Sequence, residues 1–174
     1  RGLGPRCRRF ESCHPDFAAV ASSIRMDNRP PKLIAINHDD YHAEYVGRTN
    51  DGKQFFLTSP FEPATDKQEG REFLALYLFD AHGNLLDAKI DDLGPRAIMD
   101  RDKRVSLRDQ RLAELGGLSF ERIEIAPFSI DRFGSTFGLI LREPEDDEDT
   151  WAVELQPGNF MAFFPPWDSG EYDT

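Results

Sequence analysis

Beyond Cys13 the sequence contains no cysteine: its two thiols, Cys7 and Cys13, both fall in the first 25 residues. A body without thiols forms no disulfide and uses no thiolate nucleophile, which fits a reducing cytoplasm. Long apolar runs are missing too. None approaches the roughly 20 residues a membrane-spanning helix needs, and no signal peptide is visible, so no membrane partner is expected. There is no Gly-rich phosphate loop and no Gly-x-Ser-x-Gly elbow. Positive charge is scarce: 21 Lys and Arg stand against 32 Asp and Glu, a net charge of −11. Residues 1–25 hold five basic and two acidic side chains, which leaves 16 basic and 30 acidic for 26–174. Such a surface repels phosphate, so nucleic acid is not an expected partner unless the fold gathers its few basic residues.

What the sequence does have is one uninterrupted apolar stretch, Phe73 to Phe79. As a strand it places Phe73, Ala75, Tyr77 and Phe79 on one face and Leu74, Leu76 and Leu78 on the other, both covered. Asp80 and Gly83 then punctuate a turn, and Leu85 to Ile90 returns as its partner. Before it, Tyr41, Ala43 and Tyr45 alternate as a half-buried strand, and Asn50-Asp51-Gly52 turns the chain into Gln54 to Thr58. Residues 60–70 read as an exposed loop.

From about Ile98 to Leu115 the pattern is helical, with Ile98, Val105, Leu112 and Leu115 at heptad-like spacing and Gly116-Gly117 as the stop. Ser106 or Asp109 would cap a shorter version. Strands resume at Phe120 to Ile130, Thr136 to Leu141, Trp151 to Leu155 and Phe160 to Phe164. Side-chain parity changes across Pro127, where a bulge or a sheet edge is expected. Glu143 to Asp149 is a solvated acidic loop. The expected fold is α+β: a mainly antiparallel sheet of about eight strands with one principal helix on one face.

Residues 1–25 are set apart. Arg8-Arg9-Phe10-Glu11-Ser12-Cys13 can be encoded CGC-AGG-TTC-GAG-TCC-TGC, whose GCAGG and CCTGC ends are complementary around a loop like that of a transfer-RNA T arm. Two expectations follow. The segment is a transfer-RNA gene read as protein, with the chain proper starting at Met26, or it is a natural flexible N-terminus or cloning scar. Either way residues 26–174 form the α+β domain, with an aromatic C-terminal tail.

Two groups of residues are candidates for chemistry. His38, Asp40 and His42 are spaced i, i+2, i+4, so on a strand they share a face and could ligate a divalent metal or serve a hydrolytic enzyme; a polar edge-strand face accounts for them equally. The ending Phe163 to Thr174 is aromatic where most chains turn polar. Trp167, Asp168, Glu171 and Tyr172 are candidates for binding a partner, and the alternative is that the tail docks on its own domain. In that case Asp168, Glu171 and Asp173 would pair with a helix arginine among Arg101, Arg104, Arg108 and Arg111.

The run Arg71-Glu72-Phe73 into Tyr77-Leu78-Phe79-Asp80-Ala81-His82-Gly83-Asn84-Leu85-Leu86 resembles a family of small bacterial proteins, the formate hydrogenlyase regulatory proteins. So do Pro127-Phe128-Ser129-Ile130 with Phe137-Gly138-Leu139, and above all the ending Pro166-Trp167-Asp168-Ser169-Gly170-Glu171-Tyr172-Asp173-Thr174. The resemblance covers about residues 40–174 and implies a cytoplasmic bacterial regulator; it carries no catalytic residues over. The expectation is a non-enzymatic module without a cofactor that binds another protein.

Overall fold

The computed structural model describes residues 29–66, 68–146 and 148–174; the expectations for residues 1–25 and for a start at Met26 lie outside them. In chain order the strands of the first half are β1 (Ile34–Ile36), β2 (Tyr45–Thr49), β3 (Gln54–Thr58), β4 (Phe61–Glu62), β5 (Arg71–Phe79) and β6 (Leu85–Gly94). Helix α1 (Arg101–Ala113) follows. Then come β7 (Leu118–Phe120), β8 (Ile123–Ile125), β9 (Phe128–Arg132), β10 (Ser135–Arg142), β11 (Ala152–Gln156) and β12 (Ala162–Phe163).

The apolar stretch is the centre of a six-stranded antiparallel sheet. β6 pairs with β5 from Glu72 to Phe79, while β3 and β4 pair with it over residues 75–79 and 71–72. β2 and then β7 extend the sheet beyond β3. The period-2 reading holds on both faces. Ala75, Tyr77 and Phe79 enter one buried cluster with Phe56, Ile34, Ile123 and Leu155. Leu74 and Leu76 enter another with Phe55 and Leu57, and half-buried Leu78 packs against it. At the β5–β6 turn, Asp80 Oδ1 accepts from the backbone N–H of His82 and of Asn84. Gly83 takes φ +86° there, and a Cβ would lie 2.5 Å from the Glu124 carbonyl oxygen, so both conformation and contact require glycine.

Helix α1 is shorter than its apolar spacing predicts. Asp100 caps it, its carboxylate accepting from the N–H groups of Asp102 and Lys103. Ile98 therefore precedes the helix and is 79% exposed, and Val105 points outward at 45%. Leu107 and Leu112 of α1, with Leu115 just after it, are half-buried against Phe55, Leu57, Leu74 and Leu76. No residue of α1 is fully buried.

The α+β class with antiparallel pairing holds, but the described residues form twelve strands in three sheets rather than about eight in one. The segment read as one strand from Phe120 to Ile130 is three. β7 joins the six-stranded sheet, β8 pairs with β1, and β9 edges a four-stranded sheet ordered β12-β11-β10-β9. Pro127 has no N–H to continue a ladder, and the parity change across it marks where the chain passes to another layer. Residues 60–70 are not wholly loop either: β4 pairs with β5, and Thr65 bridges to Gln68.

Candidate functional site

Residues 37–44, with strand expected for 38–44, form an irregular turn between β1 and β2. Strand periodicity does not operate there, so the i, i+2, i+4 spacing gives His38, Asp40 and His42 no common face. His38 and Asp40 are exposed and the His38 ring lies 5.7 Å from that of Phe120. Among the described residues no group of three or more His, Cys, Asp or Glu is arranged to hold a metal ion. Tyr41, expected to point inward, is 68% exposed, while Ala43 is buried.

The residue that organises this turn is Asp39. Its Oδ1 accepts from the N–H of Tyr41 at 2.7 Å and of Ala43 at 3.0 Å, and its Oδ2 accepts from the Tyr172 hydroxyl. Burial raises the Asp39 pKa, but these three hydrogen bonds outweigh it and hold the carboxyl below its usual range. Burial, and then the bond to Asp39, push the Tyr172 hydroxyl up to about 12. Burial lowers the His42 pKa against the pull of Asp39, which favours a neutral ring near pH 7.

Tyr172 thereby ties the C-terminal tail to the body, and the tail is docked along its length. The N–H of Ala35 donates to the Trp167 carbonyl and that of Asn37 to the Gly170 carbonyl, at 2.9 and 3.0 Å. Asp173 and Ala162 exchange two backbone hydrogen bonds. Trp167 and Tyr172 are half-buried against the main core, whereas Asp168 and Glu171 remain exposed. Among the described residues the tail acids do not pair with the helix arginines: Arg122 donates to the Asp168 carbonyl at 2.9 Å, and the Trp167 indole N–H donates to the Arg29 carbonyl at 3.2 Å. Arg111 instead forks onto Asp91 in β6, at 3.0 and 2.8 Å.

A concavity lies elsewhere, where α1 and the loop before it meet the six-stranded sheet. It holds about 680 Å³, within the range of small-molecule sites. Part of its lining is a ladder of rings. Tyr41 lies 3.9 Å from His42, His42 lies 5.0 Å from Phe160, and Phe160 stacks on Phe61 at 5.8 Å. The Arg96 guanidinium ends the ladder, 5.4 Å over the Phe61 ring. The helix contributes Arg101, Arg104, Val105 and Arg108.

Four arginines and two glutamates, Glu44 and Glu72, thus share one cleft of an acidic protein. Pairing separates them. Arg96 binds the carboxylate of Glu72, whose side chain is only 7% exposed. Arg108 is held by Asp109 at 2.7 Å and lies 5.3 Å over the Tyr45 ring. Arg104 donates to the Ser59 hydroxyl at 3.0 Å and has no carboxylate partner among the described residues. The Arg101 side chain has neither hydrogen bond nor ion pair among them. Like charges one helical turn apart cost about 0.2–0.5 kcal/mol, a penalty this pair carries without a carboxylate to offset it among the described residues.

Sequence reasoning named these arginines only as partners for the tail. The missed signal is their i, i+3, i+7 spacing, which puts three cations on one helix stripe in a chain otherwise rich in acids. Asp39 was missed because turn chemistry, not strand periodicity, governs it. Set against protein family models, curated proteins and solved structures, the chain matches none, so its role is read from the cleft itself.

Proposed function

We propose that this chain is a non-enzymatic binding module whose recognition surface is the cleft beneath α1, and that the group entering it is anionic. The observation that carries this reading is the pair Arg101 and Arg104, without carboxylate partners among the described residues of a protein with net charge −11. Guanidinium groups suit such a role because they stay charged and fork onto carboxylate or phosphate oxygens. Calorimetric titration with small carboxylates, phosphates and neutral analogues tests it. Anions should bind, with affinity falling as salt rises, and Arg101→Ala should weaken them. Neutral analogues binding as well as anions, to wild type and variant alike, would contradict it.

A second reading keeps the expectation of a protein partner. Asp168 and Glu171 stay exposed on a tail whose backbone is pinned to β1 and β12, so two acids are displayed at low entropic cost. In this reading the protein is a regulator in the bacterial cytoplasm, as the resemblance to the formate hydrogenlyase regulatory proteins implies. A photocrosslinker at Asp168 should capture a protein that one at Glu145, in the acidic loop, does not. Equal capture from both positions rules this reading out.

A further inference from the structure

Resting on the anion reading, we infer that the cleft selects a planar aromatic ring that carries a doubly charged anionic group. Two sources share that chemistry, a nucleoside monophosphate and an aryl dicarboxylate.

The cleft has two kinds of lining. An anion site alone needs only the arginines and solvent. Here the cavity also includes a continuous run of rings, Tyr41, His42, Phe160 and Phe61, each in contact with the next. Tyr41 sits at the outer end of this run and is 68% exposed. A large aromatic side chain left in water beside a cleft has surface to offer a ligand, and a flat ring covers it with the least ordering cost. His42 belongs to the same run, and its burial favours the neutral form, so the wall is a π surface and not a further cation.

The charged end follows from the guanidinium groups that have no carboxylate partner among the described residues. Arg96 and Arg108 already face carboxylates, in Glu72 and Asp109. That leaves Arg101 and Arg104, two positive charges three residues apart on α1; the cleft's other carboxylate, Glu44, acts on Arg108. One negative charge would leave one of them uncompensated; a phosphate monoester or a pair of carboxylates meets both. A cavity of about 680 Å³ has room for ring and anion together. The aromatic lining makes an aliphatic dianion a poor fit, and the arginines do the same for a neutral ring.

Isothermal titration separates the parts. The probes are AMP, adenosine, benzene-1,3-dicarboxylate, an aliphatic dicarboxylate (glutarate) and inorganic phosphate. At least one aromatic dianion should bind about tenfold or more tightly than phosphate and glutarate, since stacking a ring on an aromatic side chain is worth that much, and about tenfold or more tightly than adenosine, which lacks the charge-assisted contacts. Tyr41→Ala should remove most of this advantage while leaving phosphate binding as it was. Arg101→Ala should weaken the aromatic dianion and phosphate together. Both side chains are exposed, so neither variant endangers the fold. Binding of AMP but not of the dicarboxylate assigns the site to nucleotides, and the reverse assigns it to aryl acids. If phosphate or glutarate binds as tightly as the better of the two aromatic probes, ring selection is wrong and the anion reading stands alone. If no anion binds at all, both readings fall.

Discussion

On one face of the six-stranded sheet, Phe56, Ala75, Tyr77 and Phe79 are sealed under β1, β8, the four-stranded sheet and the C-terminal tail. On the other, Phe55, Leu57, Leu74 and Leu76 lie beneath one helix that has no fully buried residue of its own. The first face is closed by layers that interlock through backbone pairing. The second is roofed by a narrow cylinder, which covers part of a sheet and leaves a cleft beside it. The same central strand therefore anchors stability on one side and offers a concave, charged surface on the other. Burial of large side chains costs stability if disturbed, whereas an exposed arginine stripe can change at little cost to the fold.

The largest effect that would break this contrast lies in the sealed face. Phe79→Ala should cost about 3–5 kcal/mol in urea unfolding, the range for a fully buried aromatic residue, whereas Leu107→Ala, half-buried on α1, should cost about 1 kcal/mol. Equal losses would mean that the helix holds the sheet as firmly as the other layers do. Next comes the tail, which belongs to the sealed face. Trp167→Ala should cost about 1–2 kcal/mol, because only part of the indole is buried; an unchanged midpoint would detach the tail from the core.

The bond between Asp39 and Tyr172 sharpens the contrast through pH. Asp39 has a lowered pKa in the fold, so its contribution is present above the ordinary Asp value of about 4 and is lost as pH falls through the folded one. Tyr172 is raised to about 12, so its contribution is full below the ordinary Tyr value of about 10 and is lost as pH rises toward 12. Tyr172→Phe should therefore lower the melting temperature at neutral pH and flatten its decline between about pH 10 and 12. A parallel downward shift at every pH would place the stabilisation elsewhere. The smallest effect is expected at Tyr77, whose buried hydroxyl has no hydrogen-bond partner among the described residues and whose pKa burial raises. Tyr77→Phe should leave stability within about 0.5 kcal/mol or raise it, because an unpaired hydroxyl is removed from a dry core.

The sealed face was largely legible in the sequence. Alternation from Phe73 to Phe79 assigns each side chain to its face, and Asn50-Asp51-Gly52 and Asp80 to Gly83 give both flanking turns, because period and turn chemistry are local properties. The division into three sheets was not. β1 is three residues long and carries no measurable period, and the paths of β7, β8 and β9 depend on which layer each can reach. The site was the least legible part. It takes its rings from the turn before β2, from β4 and from the segment before β12, and its charges from α1, so no one window of sequence contains it. The i, i+2, i+4 spacing of His38, Asp40 and His42 misled for a related reason: spacing has meaning only once the local backbone is known.

The central claim is that recognition and stability reside on different faces, and one variant tests it most directly. Arg101→Ala should keep the wild-type melting temperature within about a degree, as expected for an exposed side chain with no partner among the described residues. In the same sample, binding of an anionic ligand should fall by about tenfold or more, the scale for losing one charge-assisted contact. A lowered melting temperature with binding intact would contradict the account, because it would make the arginine stripe part of the scaffold rather than the surface that reads a ligand.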